Sequence, residues 1–396
     1  QTRSSFTPVD IGADAGNFVA ADLVTPVITY TTLGNTTSTS NRSFTNVTIT
    51  DASGVNGTSG TAPRVYYKKS TDANNYVGNT SGDNGWKYVE ASGSSSPFSF
   101  TIDYSLINGG SVAAGDVIQY FVVAQDLAST PNVAINSGSF TSTPSSVALT
   151  SAAFPITGTI NSYTISTPIT GSYSVGLGQT YTTLTGASAT NSFFAFVNSG
   201  VVTGNVTVNI VSDITEAGTT ALNQWTEEGT GNYTLTIQPD GLLSKVTQRT
   251  ISGTVTTNAM IDFNGADRVI IDGRVGGSGQ YLTFRNTNAT ASSTAPTIRF
   301  NNSATSDTVR YVIIENNGTT ATQGSVTIGS TGTNTGIVVS NNDIRDAVGG
   351  TTGNPSSAVY SNSANNNTIT VSNNNIYNWT ASGVLFTTVG NGCRSE

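Results

Sequence analysis

From residue 27 onward the chain is written in short runs in which apolar residues alternate with polar ones or stand together. Gly, Asn, Asp and Ser separate the runs. Alternation with a period of two is the pattern of a strand with one buried face, and those four residue types supply the turns between strands. The runs at 27–30, 44–49, 64–68, 86–89, 98–102 and 117–123 put six or seven strands into about 120 residues, the density of a β-sandwich. The spacing therefore predicts a sandwich over 26–140, with 1–25 as a lead-in or edge segment. Trp86, Tyr66 and Tyr120 are candidates for its core. Read as function, they would form an aromatic platform for glycans. Aromatics on alternating strands more often pack inside. Residues 141–166, rich in Ser and Thr and holding Pro144 and Pro155, read as a linker.

Beyond the linker the runs repeat as a phrase. Val269-Ile270-Ile271-Asp272-Gly273, Val312-Ile313-Ile314-Glu315-Asn316, Ile337-Val338-Val339-Ser340-Asn341 and Ile369-Thr370-Val371-Ser372-Asn373 begin at intervals of 43, 25 and 32 residues. A constant strand with variable spacing predicts a coil whose rungs are fixed and whose loops vary. Gly273, Asn316, Asn341 and Asn373 then fall at one corner, where Asn and Gly tolerate left-handed backbone. Stacked Asn side chains can also bond to one another. A sandwich with Asn-rich hairpins fits less well, because the phrase recurs in register. Between 185 and 200 the pattern changes to one compatible with a short helix ending at Gly200. A helix there would cap the open strand edges of the coil. The expected fold class is all-β: a sandwich, then a parallel β-helix, or solenoid, over 167–396 with an N-terminal capping helix.

The phrase from Asn264 to Arg274, with those ending at Ile344 and at Trp379, resembles right-handed parallel β-helix domains of the pectin-lyase-like superfold. More narrowly it resembles those of large secreted surface proteins of Bacteroidetes-type bacteria. The runs at 173–176, 181–185, 206–210, 233–237 and 251–253 are similar to the opening rungs of that family. The stretch 115–126 resembles a late strand of fibronectin-type or immunoglobulin-like modules. The resemblance implies export, with type IX secretion machinery as a partner, and an extracellular or cell-surface location. It implies no particular activity, since this superfold hosts lyases, hydrolases, adhesins and inert stalks.

Composition narrows the function. Charged residues are 10% of 396, net charge is −8, and there are 42 glycines. Low charge with alternating Thr, Val and Ile fits an ordered, loop-rich all-β chain, and the lack of a basic stripe argues against nucleic acid. No run of eighteen apolar residues marks a membrane span. Gln1 reads as a residue left by signal removal or another processing boundary, and the far end as a coil that continues or is covered by a partner. The lone Cys393 has no partner within the chain, so sheet stacking must stabilise it.

The chain contains no histidine. That removes Ser-His-Asp and Cys-His catalysis and His-ligated zinc. Gly276-Gly277-Ser278-Gly279 lacks the strand-to-helix setting of a nucleotide fingerprint. Carboxylates remain. Asp272 and Glu315 stand at matching places in the phrase and are expected to stack, with Asp343 near them. Such a set could form a glycosidase or lyase cleft, or a calcium site of oxygen ligands. Solvated corner carboxylates are the commoner outcome, and Ser340 and Ser372 replace them in later rungs. Arg268, Arg274, Arg299 and Arg310 are present without a visible cluster. Asp307-Thr308-Val309 resembles the short phrase that carries O-glycans in the same bacterial group, which makes Thr308 a glycosylation candidate.

The sequence therefore points to a non-enzymatic adhesin, stalk or filament protein without catalytic or cofactor residues. Its expected partners are cell-surface glycans or surface proteins. The alternatives are a carbohydrate-active β-helix enzyme and a self-assembling subunit joined by strand addition through the uncovered coil end or residues 10–26.

Overall fold

The computed structural model describes residues 21–241, 247–288, 295–347 and 353–396. Strands dominate, and contacts divide the chain into two units, Gln1–Ser166 and Thr167–Glu396. Most of the lead-in expected over 1–25, and of the proposed strand-adding segment, lies outside the described residues.

In the first unit two antiparallel sheets share an apolar core. One orders Val27–Thr29, Arg42–Thr50 and Phe98–Ile102. The other orders Lys87–Glu90, Arg64–Lys69, Val117–Gln125 and Val133–Asn136, with Asn161–Thr164 also on Val117–Gln125. Strand alternation sends Tyr67 and Tyr120 into the core between the sheets, against Phe44, Val47 and Phe98. The opposite face is also buried. Tyr66, Trp86 and Phe121 lie there against Val147, Leu149, Phe154 and Ile156.

Two sequence readings change as a result. Residues 141–166 are not a linker but a cover for the second face of the larger sheet, closed by the strand Asn161–Thr164. The three core aromatics are all buried, but Tyr66 and Trp86 belong to this second core and not to the one holding Tyr120. The Tyr66 hydroxyl donates to Val147 O at 2.8 Å and accepts from Leu149 N–H at 3.0 Å, which ties the covering segment to the sheet.

The second unit is built from three stacks of parallel strands, compatible with a β-helix. Successive strands of the chain visit the stacks in turn. In the first stack Val208, Ile237, Ile271, Val309, Val339 and Val371 form one inward row, at sequence intervals of 29 to 38 residues. In the second, Ile251, Phe284, Ile314 and Ile344 do the same. In the third, Ile261, Ile298, Val326 and Val359 do so. All of these belong to one continuous core.

This register corrects the repeat. The run at Ile313–Asn316 lies in the second stack, paired with Leu282–Asn286 and Asp343–Arg345, and not with Val269–Asp272. Its intervals of 43 and 25 residues mixed two stacks. The residues that follow Asp272, Arg310, Ser340 and Ser372 at the corner are Gly273, Tyr311, Asn341 and Asn373, so Tyr311 takes the place expected for Asn316. Tyr311, Asn341 and Asn373 have φ of 54°, 57° and 54°. The bonded asparagines come one residue later: Asn342 Nδ2 donates to Asn374 Oδ1 at 3.0 Å and to Val309 O at 3.0 Å. A buried corner amide thus satisfies backbone that the ladder leaves open.

The helix Phe193–Ser199 buries Phe193, Phe194 and Val197 and is capped by Ser192. It lies beside the opening strand of the third stack, Leu222–Asn223. Asn198 Nδ2 donates to Ala221 O at 2.8 Å, and Asn198 Oδ1 accepts from Asn223 N–H at 2.9 Å. A side-chain amide so pairs groups that an unpaired edge would expose. At the opening strand of the second stack, buried Glu216 accepts from the N–H groups of Leu184 and Thr185, at 2.6 and 2.8 Å. No described helix is long and apolar enough to cross a membrane.

Candidate functional site

The three stacks place charge in lateral pairs. Outward residues on adjacent rungs stand one strand spacing apart, about 4.8 Å, so opposite charges on neighbouring strands meet directly. In the second stack Arg285, Glu315 and Arg345 form such a row. The Glu315 carboxylate is fully buried, bonded by Arg285 and by Arg345 through Nε at 3.0 Å and Nη2 at 2.8 Å. Arg345 Nη1 continues the row to the Tyr377 hydroxyl at 2.5 Å. In the first stack Asp272 receives Arg274 Nη2 at 2.6 Å and Arg310 Nε at 2.9 Å. Burial alone would raise the Asp272 pKa, but these bonds and charges hold it below its ordinary value. In the third stack Arg299 bonds Asp262 bidentately, at 2.9 and 2.7 Å.

The sequence candidates are therefore separated by the fold. Asp272 and Glu315 do not stack: they lie in different sheets, each held by two arginines. Asp343 shares the second stack with Glu315 but pairs laterally with Ile313 and Asn375. The three do not form a cation site. Of the four arginines without a visible cluster in the sequence, Arg274 and Arg310 meet Asp272 from 2 and 38 residues away, Arg299 meets Asp262 from 37, and Arg268 meets Glu227 from 41. Thr308 lies half-buried on the outer face of the first stack between Ile270 and Val338, while the preceding Asp307 is buried.

Two further places carry chemistry that the sequence did not single out. In the first unit one oxygen from each of Asp22, Asp51 and Asp126 lies within 4.8 Å of the others. Oxygen donors of this kind suit calcium. The Asn132 amide already takes part of that space, with Nδ2 donating to Asp126 Oδ2 at 2.7 Å and to Asp22 O at 3.0 Å.

The second place is a recess of about 330 Å³ on the outer face of the third stack. Its outward row runs Asp262, Arg299, Thr327, Tyr360. The strand Gly324–Ile328 is the low rung, with Thr327 in that row and Gly329 just beyond it. A Cβ on Gly329 would stand 2.2 Å from Asn301 Oδ1, so glycine is what lets Asn301 lean across. Arg299 and Asn301 flank the low rung on one side, Tyr360 and Asn362 on the other, and Gln323 closes an end. No local motif marks this site. Its signal is a small pair, Thr327 and Gly329, between larger lateral neighbours, and that is visible only once the register is known.

Comparison with protein-family models, with curated protein sequences and with solved structures returns no match.

Proposed function

We propose that the chain is a non-enzymatic extracellular or cell-surface protein of adhesin or structural type from a Bacteroidetes-like bacterium. In this reading the first unit is an immunoglobulin- or fibronectin-like sandwich. The second is a right-handed parallel β-helix that serves as a rigid, protease-resistant support. Secretion machinery of type IX would deliver it.

One observation carries the reading. The coil carboxylates Asp262, Asp272 and Glu315 are held by one, two and two arginines respectively, on three different stacks, over an apolar core that runs through every rung. A glycosidase needs two carboxyl groups facing one bond, one of them free to move a proton. Carboxylates held by guanidinium groups serve instead to tie rung to rung.

Two measurements on the full chain and its producing cells test it. Immunolabelling of intact cells is expected to detect the protein without permeabilisation. A screen for new reducing ends or unsaturated products on neutral and acidic polysaccharides is expected to stay at background. Turnover abolished by Asp272→Asn or Glu315→Gln would overturn the non-enzymatic reading, and labelling only after lysis would overturn the location.

A further inference from the structure

The recess on the third stack holds more uncommitted hydrogen-bonding capacity than a structural dent requires. Arg299 spends Nε and Nη2 on Asp262, the Thr327 hydroxyl bonds within its own strand at Gly324, and Asn301 Oδ1 accepts from Thr331 N–H at 3.2 Å. Among the described residues the side-chain amides of Gln323 and Asn362, and Asn301 Nδ2, have no protein partner, and Gln323 Oε1 is buried. Amides that offer both donors and acceptors match a ligand whose hydroxyls do the same. Tyr360, buried at 6% exposure, forms part of the recess wall.

Charge decides the class. No carboxylate lines the recess, and its one cation, Arg299, is met by Asp262. Its volume is at the small end of ligand pockets, about 300–1,000 Å³. We propose that this recess binds a neutral saccharide residue of a glycan, with the side-chain amides of Gln323, Asn301 and Asn362 bonding its hydroxyls. The inference rests on the reading of the chain as a surface protein and names the ligand that such a protein would hold.

The test is saturation-transfer NMR and calorimetry on the full chain. The probes are manno-, cello- and galacto-oligosaccharides, with oligogalacturonate as the acidic counterpart. At least one neutral probe is expected to bind with a Kd of about 1 mM, as suits a small solvent-facing pocket. Gln323→Met keeps the side-chain length and removes the amide, and Ser330→Tyr fills the recess from its rim. Each should weaken binding at least tenfold, with the melting temperature of the chain unchanged as the check on folding. The proposal is overturned if no neutral probe binds, if oligogalacturonate binds more tightly, or if both variants bind undiminished. Surface labelling with no saccharide bound would remove this inference and leave the proposed location. Binding by a protein found only inside cells would do the reverse.

Discussion

The Asp307 carboxylate accepts a hydrogen bond from the Val269 backbone N–H at 2.7 Å, although both residues are buried in the second unit. Each stands just before a paired position of the first stack, where later rungs place Ile337 and Ile369. A carboxyl therefore interrupts an otherwise apolar row, and its second oxygen has no partner.

Burial raises the Asp307 pKa well above its ordinary value, against the opposing Val269 bond. The folded chain thus holds this proton more tightly than the unfolded chain does. Its stabilising effect is complete below the ordinary Asp pKa of about 3.9 and is lost as pH rises toward the folded value. Asp307→Asn keeps an acceptor for Val269 and cannot ionise. Urea midpoints taken from pH 4 upward should show the variant gaining steadily on the parent as pH rises. A difference that does not vary with pH would contradict the assignment.

Glu315 is fully buried between two arginines, whereas Asp262 is 13% exposed and meets one. Removing a buried partner strands the charges left behind. Glu315→Ala should cost about 3 kcal/mol or more, and Asp262→Ala about 1 kcal/mol. Denaturant unfolding of the two variants checks the order, and equal losses would show that burial does not set the cost.

At the corner after the first stack, a Cβ on Gly273 would stand 2.0 Å from Tyr311 O, which is backbone and has little room to shift. Gly273→Ala is expected to destabilise by about 3 kcal/mol or to prevent folding. Asn341, at φ 57° two rungs on, already pays for a left-handed conformation. Asn341→Gly should therefore be neutral within about 0.5 kcal/mol. Soluble yield and melting temperature of the pair separate steric closure from backbone preference.

In the first unit Phe154 packs on Tyr66, Tyr76 and Trp86, at ring separations of 6.3, 6.0 and 6.4 Å. Phe154→Ala should cost about 3–5 kcal/mol, and Tyr66→Phe, which removes two hydrogen bonds, about 1–2 kcal/mol. A solvated linker would tolerate the first change. Near-UV circular dichroism and urea unfolding of the full chain provide the measurement.

Much of this protein is legible from its sequence because strand patterning is local. Continuous apolar runs at Val65-Tyr66-Tyr67 and at Tyr120-Phe121-Val122 mark strands, and the recurring apolar triplets mark rungs. The short helix is visible from its aromatic cluster and terminal Gly200 for the same reason. Register is not local. The phrases ending in Asp272 and Glu315 look alike, yet lateral pairing puts them in different stacks, where each finds its own arginines. Corner geometry is equally hidden: Arg268, Ser306 and Thr368, at φ 60°, 59° and 53°, take left-handed backbone without the Asn or Gly that would announce it. Neighbouring rungs hold both ends of each corner, so packing overrides the residue's own preference. The sequence by itself determined which segments become strands and which faces are apolar. Only the tertiary structure decided which strands lie side by side, and with that which charges pair and where Thr327 and Gly329 leave a recess. Lateral neighbours come from residues about thirty positions apart, and loop lengths that vary from rung to rung erase that spacing from the chain.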